Sequence, residues 1–217
     1  MPKWMKFILA LFLLPVCAGA VSTMAMVIQQ SGRIETIWVP FAAGVACWVV
    51  IYILLPRPMW IYVVGHEFTH ALWGWAFGAR LKKFKATSKG GHVVLTKSNF
   101  LIALAPYFFP VYSTVVILVF VAGHLLFGWR RYQAFFHLCL GMTYAFHLAL
   151  TAHVLQSRQS DVTDQGYFFS GVIIFLGNIT VLLLGIPLLG GHTGVLTVLR
   201  WWLESTAQVV QRLAALV

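Results

Sequence analysis

His66 and His70 stand four residues apart with Glu67 directly after the first, an HExxH pattern set within the otherwise apolar stretch Met59 to Gly78. On a helix, the i and i+4 spacing puts both imidazoles on one face, where their nitrogens reach a single Zn2+ ion. Glu67 then lies beside a metal-activated water, placed to take its proton and pass it to a leaving amine. The chemistry implied is metal-assisted hydrolysis. A carboxylate and two imidazoles inside an apolar span cost several kcal/mol, of order 3 for an ionised group, unless they are paired or coordinated. The bland alternative is a hydrogen-bonded structural cluster.

A catalytic zinc takes three protein ligands and keeps one open position. Five acids are available in the whole chain: Glu35, Glu67, Glu204, Asp161 and Asp164. Glu204 falls in an amphipathic tail and is a poor ligand. The elongated metzincin pattern also fails, with Trp73 in place of its glycine and Ala76 in place of its third histidine. Asp161 and Asp164 remain, in the polar run Gln159 to Gly166 before the last long apolar segment. We take Asp161 as the third ligand, with Asp164 as the alternative. One of the two is expected to cap the helix that follows.

These residues must be positioned by elements that fold in lipid. Of 217 residues, 60% are hydrophobic and 9% charged, outside the range of soluble globular domains. We expect one integral membrane domain over 1–217, all-α and polytopic. Six apolar segments are long enough to span: 5–29, 36–55, 59–78, 100–127, 132–155 and 166–189. The first resembles a signal peptide in its Lys3 and Lys6, but its length suits an uncleaved span. Pro106 and Pro110 are expected to kink the fourth, making room beside the third. The formal charge of +10 is explained by anionic lipid headgroups, with no nucleic acid as partner. Cys17, Cys47 and Cys139 lack metal or redox spacing and are read as packing residues.

Between the third and fourth spans, Arg80, Lys82, Lys83, Lys85, Lys89 and Lys97 occur with no acid among them. Lys89, Gly90, Gly91 and His92 predict the turn of a short membrane-associated β-hairpin. The positive-inside rule makes this loop cytoplasmic, and the junction before the sixth span lies on the same side. Lys3 and Lys6 argue for the opposite orientation. After the sixth span, 193–217 predicts an amphipathic helix carrying Trp201 and Trp202. His147 in the fifth span is read as a core histidine hydrogen-bonded to a neighbouring helix, with lining of the site as the alternative. Asn178 in the sixth is read as interhelical glue or a substrate contact.

HExxH in a transmembrane helix, a glycine-containing hairpin after it and a distal Asp at another span together resemble the site-2 protease family of intramembrane zinc metalloproteases. The resemblance covers 59–190. It implies zinc on His66, His70 and Asp161 or Asp164, Glu67 as general base, and a strand that pairs with substrate, from which Gly90, Gly91 and His92 are candidate substrate contacts with Asn178. Two features depart from the family pattern: the distal motif is not the usual Asp-Gly pair, and no peptide-binding domain is inserted. The implied activity is endopeptidase cleavage of membrane proteins or peptides, with substrates selected by the hairpin, by span packing or by a separate membrane partner subunit, and the short loops and small size suggest a bacterial inner membrane. A catalytically silent zinc-binding scaffold or assembly factor is the competing expectation.

Overall fold

The computed structural model describes residues 1–30, 35–87, 90–190 and 193–215. Helices dominate: α1 (Lys3–Gln30), α2 (Glu35–Leu54), α3 (Met59–Ala76), α4 (Phe100–Leu104), α5 (Val111–Phe127), α6 (Gln133–Leu155), α7 (Ser160–Thr163), α8 (Tyr167–Gly190) and α9 (Val195–Ala214). A two-stranded antiparallel hairpin, β1 (Leu81–Thr87) and β2 (Gly90–Leu95), lies between α3 and α4. The chain divides into two compact units, one of Met1–Ile34 with Ser160–Val217 and the other of Glu35–Gln159.

Among the described residues, four helices are long and apolar enough to cross a membrane, within Lys3–Gln30, Thr36–Leu54, Trp129–Leu155 and Tyr167–Leu189. A fifth span results if Phe100–Tyr107 and Val111–Phe127 are taken together, although they are bent by 79° at the break between them. This is the composition of a membrane protein, with fewer clear spans than the six expected. The fourth segment is a broken helix rather than a kinked one, because Pro106 and Pro110 each remove a backbone donor near the junction. The third falls short since α3 has only 18 residues and gives three of them to His66, Glu67 and His70.

In the unit formed by α1, α7, α8 and α9, the core is Ala20, Val27, Ile179, Leu183 and Val198. Gly19 lets the backbone of α1 approach α9 so closely that a Cβ there would collide with Thr206. Trp202 adds a bond from its indole Nε1 to the Val16 carbonyl at 3.0 Å. Helix α9 is two-faced as its sequence predicts: Val198 and Ser205 are buried, while Leu196 and Leu203 lie outside with the exposed Arg200–Glu204 pair. Lys6, read from sequence as a flanking charge, is instead buried, and its Nζ donates to Gln165 Oε1 at 2.6 Å.

The unit of Glu35–Gln159 holds the HExxH helix. Helices α2 and α6 pack backbone to backbone at two glycines, Gly44 against the Leu138 carbonyl and Gly141 against the Phe41 carbonyl, the small-residue contact that membrane helices favour. Trp48, Tyr62, Phe146 and Leu150 fill the space among α2, α3 and α6. The three cysteines are free, and Cys47 is exposed rather than packed.

Helix α3 ends in a way that aims the hairpin. Gly78 takes a left-handed conformation (φ 69°), and the Ala79 N–H returns to the Gly74 carbonyl at 2.8 Å, closing a Schellman-type cap. The chain then doubles back along α3. Leu95 seats on Gly74, where a Cβ would lie 2.7 Å from Leu95 Cδ1, and Gly91 reaches Glu67 further along the helix. The spacing permits it: seven helical residues rise about 10 Å, which four strand residues, rising about 13 Å, are long enough to cover. Strand pairing runs from Leu81↔Leu95 to Thr87↔Gly90, with an irregularity between Leu81 and Lys83. Gly90, Gly91 and His92 therefore belong to β2 and not to the expected turn. Lys89, which completed that turn in the sequence reading, lies outside the described residues.

Candidate metal centre

Helix α3 presents His66 and His70 side by side, ring centroids 4.9 Å apart and nearly perpendicular. Both are half-buried, whereas Glu67, a third of a turn round the helix, is only 7% exposed. The expected one-face arrangement of the two imidazoles is therefore present.

His70 is oriented by the broken fourth segment, 32 residues further along the chain. Its Nδ1 lies 2.9 Å from the carbonyl oxygen of Ile102, an acceptor only, so this nitrogen carries the proton and donates. The lone pair is left on Nε2, the tautomer that a metal-ligating histidine needs. Ile102 is itself fixed, because Asn99 caps α4 by accepting from the Ile102 N–H at 2.9 Å. A cap at Asn99 thus holds the peptide that holds the imidazole. Tyr107, fully buried just before the break, meets His66 edge-on at 5.2 Å.

The hairpin covers the carboxylate. A Cβ built on Gly91 would stand 2.6 Å from Glu67 Cγ, 2.8 Å from Glu67 Oε1 and 2.6 Å from the Lys85 carbonyl. Only glycine allows the strand backbone to come this close, so β2 forms one wall of the space into which Glu67 points. Gly91 was expected to contact substrate; what it contacts here is the general-base candidate. Gly90 (φ 133°) has open space around its α-carbon, and His92 is exposed and registered opposite Lys85.

On its opposite flank α3 borders a small cavity of about 10 Å3, lined by His66, Tyr62, Thr69, Tyr112, Phe146 and His147 among others. Gly65 gives room there for the Tyr112 ring, whose hydroxyl donates to the Ile61 carbonyl of α3. His147 is 6% exposed, and its Nε2 has no hydrogen-bond partner among the described residues. His147 is thus a core histidine as the sequence suggests, but among the described residues its Nε2 lacks the neighbouring-helix bond expected of it, and it shares a cavity with His66.

Asp161, Asp164 and Asn178 belong to the other unit. Asp161 sits in the first turn of the short helix α7 and is half-buried, while Asp164 is exposed. Helix α8 begins after Gly166, whose carbonyl accepts from the Ser170 N–H at 2.9 Å. The Asn178 side chain donates to the Ile174 carbonyl of its own helix at 2.9 Å. By chemistry alone, the imidazole nitrogens of His66 and His70 and a carboxylate oxygen such as that of Asp161 are ligand types that zinc accepts.

Asn99, Ile102, Tyr107 and the close approach of Gly91 to Glu67 were not foreseen. A signal existed for the first: Ser98 and Asn99 directly precede the apolar run from Phe100, the pattern of a helix start. No sequence signal announces a backbone carbonyl as a histidine's partner. Comparison of the chain with protein-family models, curated proteins and solved structures finds no match.

Proposed function

We propose that the chain is an intramembrane zinc-dependent endopeptidase of the site-2 protease type, with His66, His70 and Asp161 as metal ligands and Glu67 as general base. The observation that carries this reading is the Glu67 carboxylate, buried beside two imidazoles and walled by a strand backbone at Gly91. The half-burial of Asp161 against the exposure of Asp164 favours Asp161 as the third ligand.

The residues fit the metal on two counts: the Nδ1 of His70 faces a carbonyl, which puts the lone pair on Nε2, and two imidazoles with a carboxylate are a donor set that zinc accepts. A bound zinc ion supplies Lewis acidity, polarising the scissile carbonyl and making water easier to deprotonate. Glu67 takes a proton from the attacking water as its oxygen bonds to the carbonyl carbon. The same carboxyl group then delivers that proton to the amide nitrogen as the C–N bond breaks, leaving a free carboxylate and a free amine. Substrate is a membrane protein or peptide whose backbone adds to an open edge of the basic hairpin, an extended form in which its amide bonds are exposed. Asn178 and His92 are secondary candidates for substrate contact. The lipid bilayer is the solvent, a membrane subunit is the expected partner, and the basic hairpin faces the cytoplasm of a bacterial inner membrane.

The test is cleavage of a model transmembrane peptide by purified wild type and Glu67→Gln, with zinc measured on both. Loss of turnover by about 10²- to 10⁴-fold with zinc retained is expected. Zinc bound with no cleavage by the wild type would sink the protease reading in favour of a zinc-holding scaffold.

A further inference from the structure

The cavity behind His66 contains a group that hydrolysis as described does not use. His147, at the middle of α6, is more than nine-tenths buried and lines this space together with His66, yet its Nε2 has no hydrogen-bond partner among the described residues. Leaving such a nitrogen unsatisfied in an apolar interior costs on the order of a hydrogen bond or more, so a partner is called for. The cavity measures about 10 Å3, the least space in which one water molecule fits. It is also polar enough to keep one. Besides the two histidines, Thr69 and Tyr112 line it, and their hydroxyl hydrogens are already committed to the Gly65 and Ile61 carbonyls, leaving oxygen lone pairs to accept.

Helix α6 is built around this position. Thr143, His147 and Thr151 recur every four residues, so they form one polar stripe along α6. Thr143 is tied to Ser113 of α5 at 3.1 Å, while Thr151 Oγ1, like His147 Nε2, is buried without a partner among the described residues. A stripe of this kind inside a span is costly unless something polar faces it.

We propose that His147 is a positioning residue for the metal centre: one buried water in this cavity links His147 Nε2 to His66, as the Ile102 carbonyl links directly to His70. The two imidazoles on α3 would then each be steered from outside, His70 by a backbone carbonyl of the broken helix and His66 through water from α6. Outer partners of this type set ligand orientation and basicity, and their loss lowers metal affinity by about 10- to 100-fold. The inference rests on the zinc reading of His66 and His70.

Two substitutions separate a hydrogen-bonding role from a packing role. A Gln amide reaches about as far as Nε2 of histidine, whereas an Asn amide reaches only as far as Nδ1. Zinc affinity of the purified full-length protein is measured by competition with a chromogenic chelator for wild type, His147→Gln, His147→Asn and His147→Leu, together with the visible spectrum of each loaded with Co2+. His147→Leu and His147→Asn are expected to loosen zinc about 10- to 100-fold and to shift the Co2+ bands. His147→Gln should restore both toward wild type. His147→Asn, the milder change, keeps the test decisive if His147→Leu fails to fold. Wild-type affinity in His147→Asn, or equal loosening by Gln and Asn, would overturn the inference alone. A wild-type protein that binds no zinc would overturn the metal reading beneath it.

Discussion

Gly91→Ala is the most informative single change, because it adds one methyl group at the contact between β2 and Glu67 and touches no metal ligand. The new Cβ would stand 2.6 Å from Glu67 Cγ and 2.6 Å from the Lys85 carbonyl, about 0.8 Å inside the 3.4 Å at which ordinary contact begins. The carbonyl belongs to the paired strand and cannot swing away without disturbing the ladder, so the strand must retreat from α3 or Glu67 must turn aside. Either movement displaces the carboxylate relative to the strand by most of an ångström. Misplacement of a reacting group by about 1 Å can cost 10²-fold in rate, so kcat/KM should fall by about 10- to 100-fold. Zinc content should stay at the wild-type level. The assay is cleavage of a transmembrane peptide in proteoliposomes, with Gly171→Ala as control, since a Cβ at Gly171 meets nothing within 4 Å. If Gly91→Ala cleaves as well as wild type, the strand is not a wall of the site and the reasoning from close approach fails.

Asp161→Ala should lose zinc while Asp164→Ala keeps it, by elemental analysis of the purified proteins; the reverse result would hand the third-ligand role to Asp164. Gly141→Ala places a Cβ against the Phe41 carbonyl and should destabilise the α2–α6 packing by about 1–3 kcal/mol, read as a lowered midpoint of thermal unfolding; an unchanged midpoint would mean the helices part without cost. Removing metal with a chelator should abolish peptide cleavage, and added Zn2+ should restore it in wild type but not in Glu67→Gln; cleavage that survives chelation would exclude a metal-dependent reaction.

The HExxH helix, the hairpin and the amphipathic α9 were legible because each rests on local periodicity or spacing: i and i+4 for the histidines, a glycine-rich turn signal, and a 3.6-residue apolar stripe. The break near Pro106 and Pro110 was visible too, though not its depth, because a proline shows that a bond is missing and does not show how far the chain then turns. What stayed hidden depends on approach through space. That Gly91 meets Glu67 follows from the left-handed cap at Gly78 and from the return of the strand along α3, neither of which a residue pattern displays. The partner of His70 is a peptide carbonyl, which every residue possesses. Hydropathy placed α3 among the spans only by overlooking what its three polar side chains subtract.

The series Asn99 to Ile102 to His70 would link a metal on His70 to the folding of a five-residue helix. A helix that short has almost no stability of its own, and its first turn is held by the side-chain cap of Asn99. Anything that binds the ordered form and not the frayed one draws the equilibrium toward order. Zinc on His70 would therefore slow amide exchange at Ile102, two steps from the ion. Conversely, weakening the Asn99 cap would speed escape of the metal. On the zinc reading, the start of α4 would be ordered together with the metal centre.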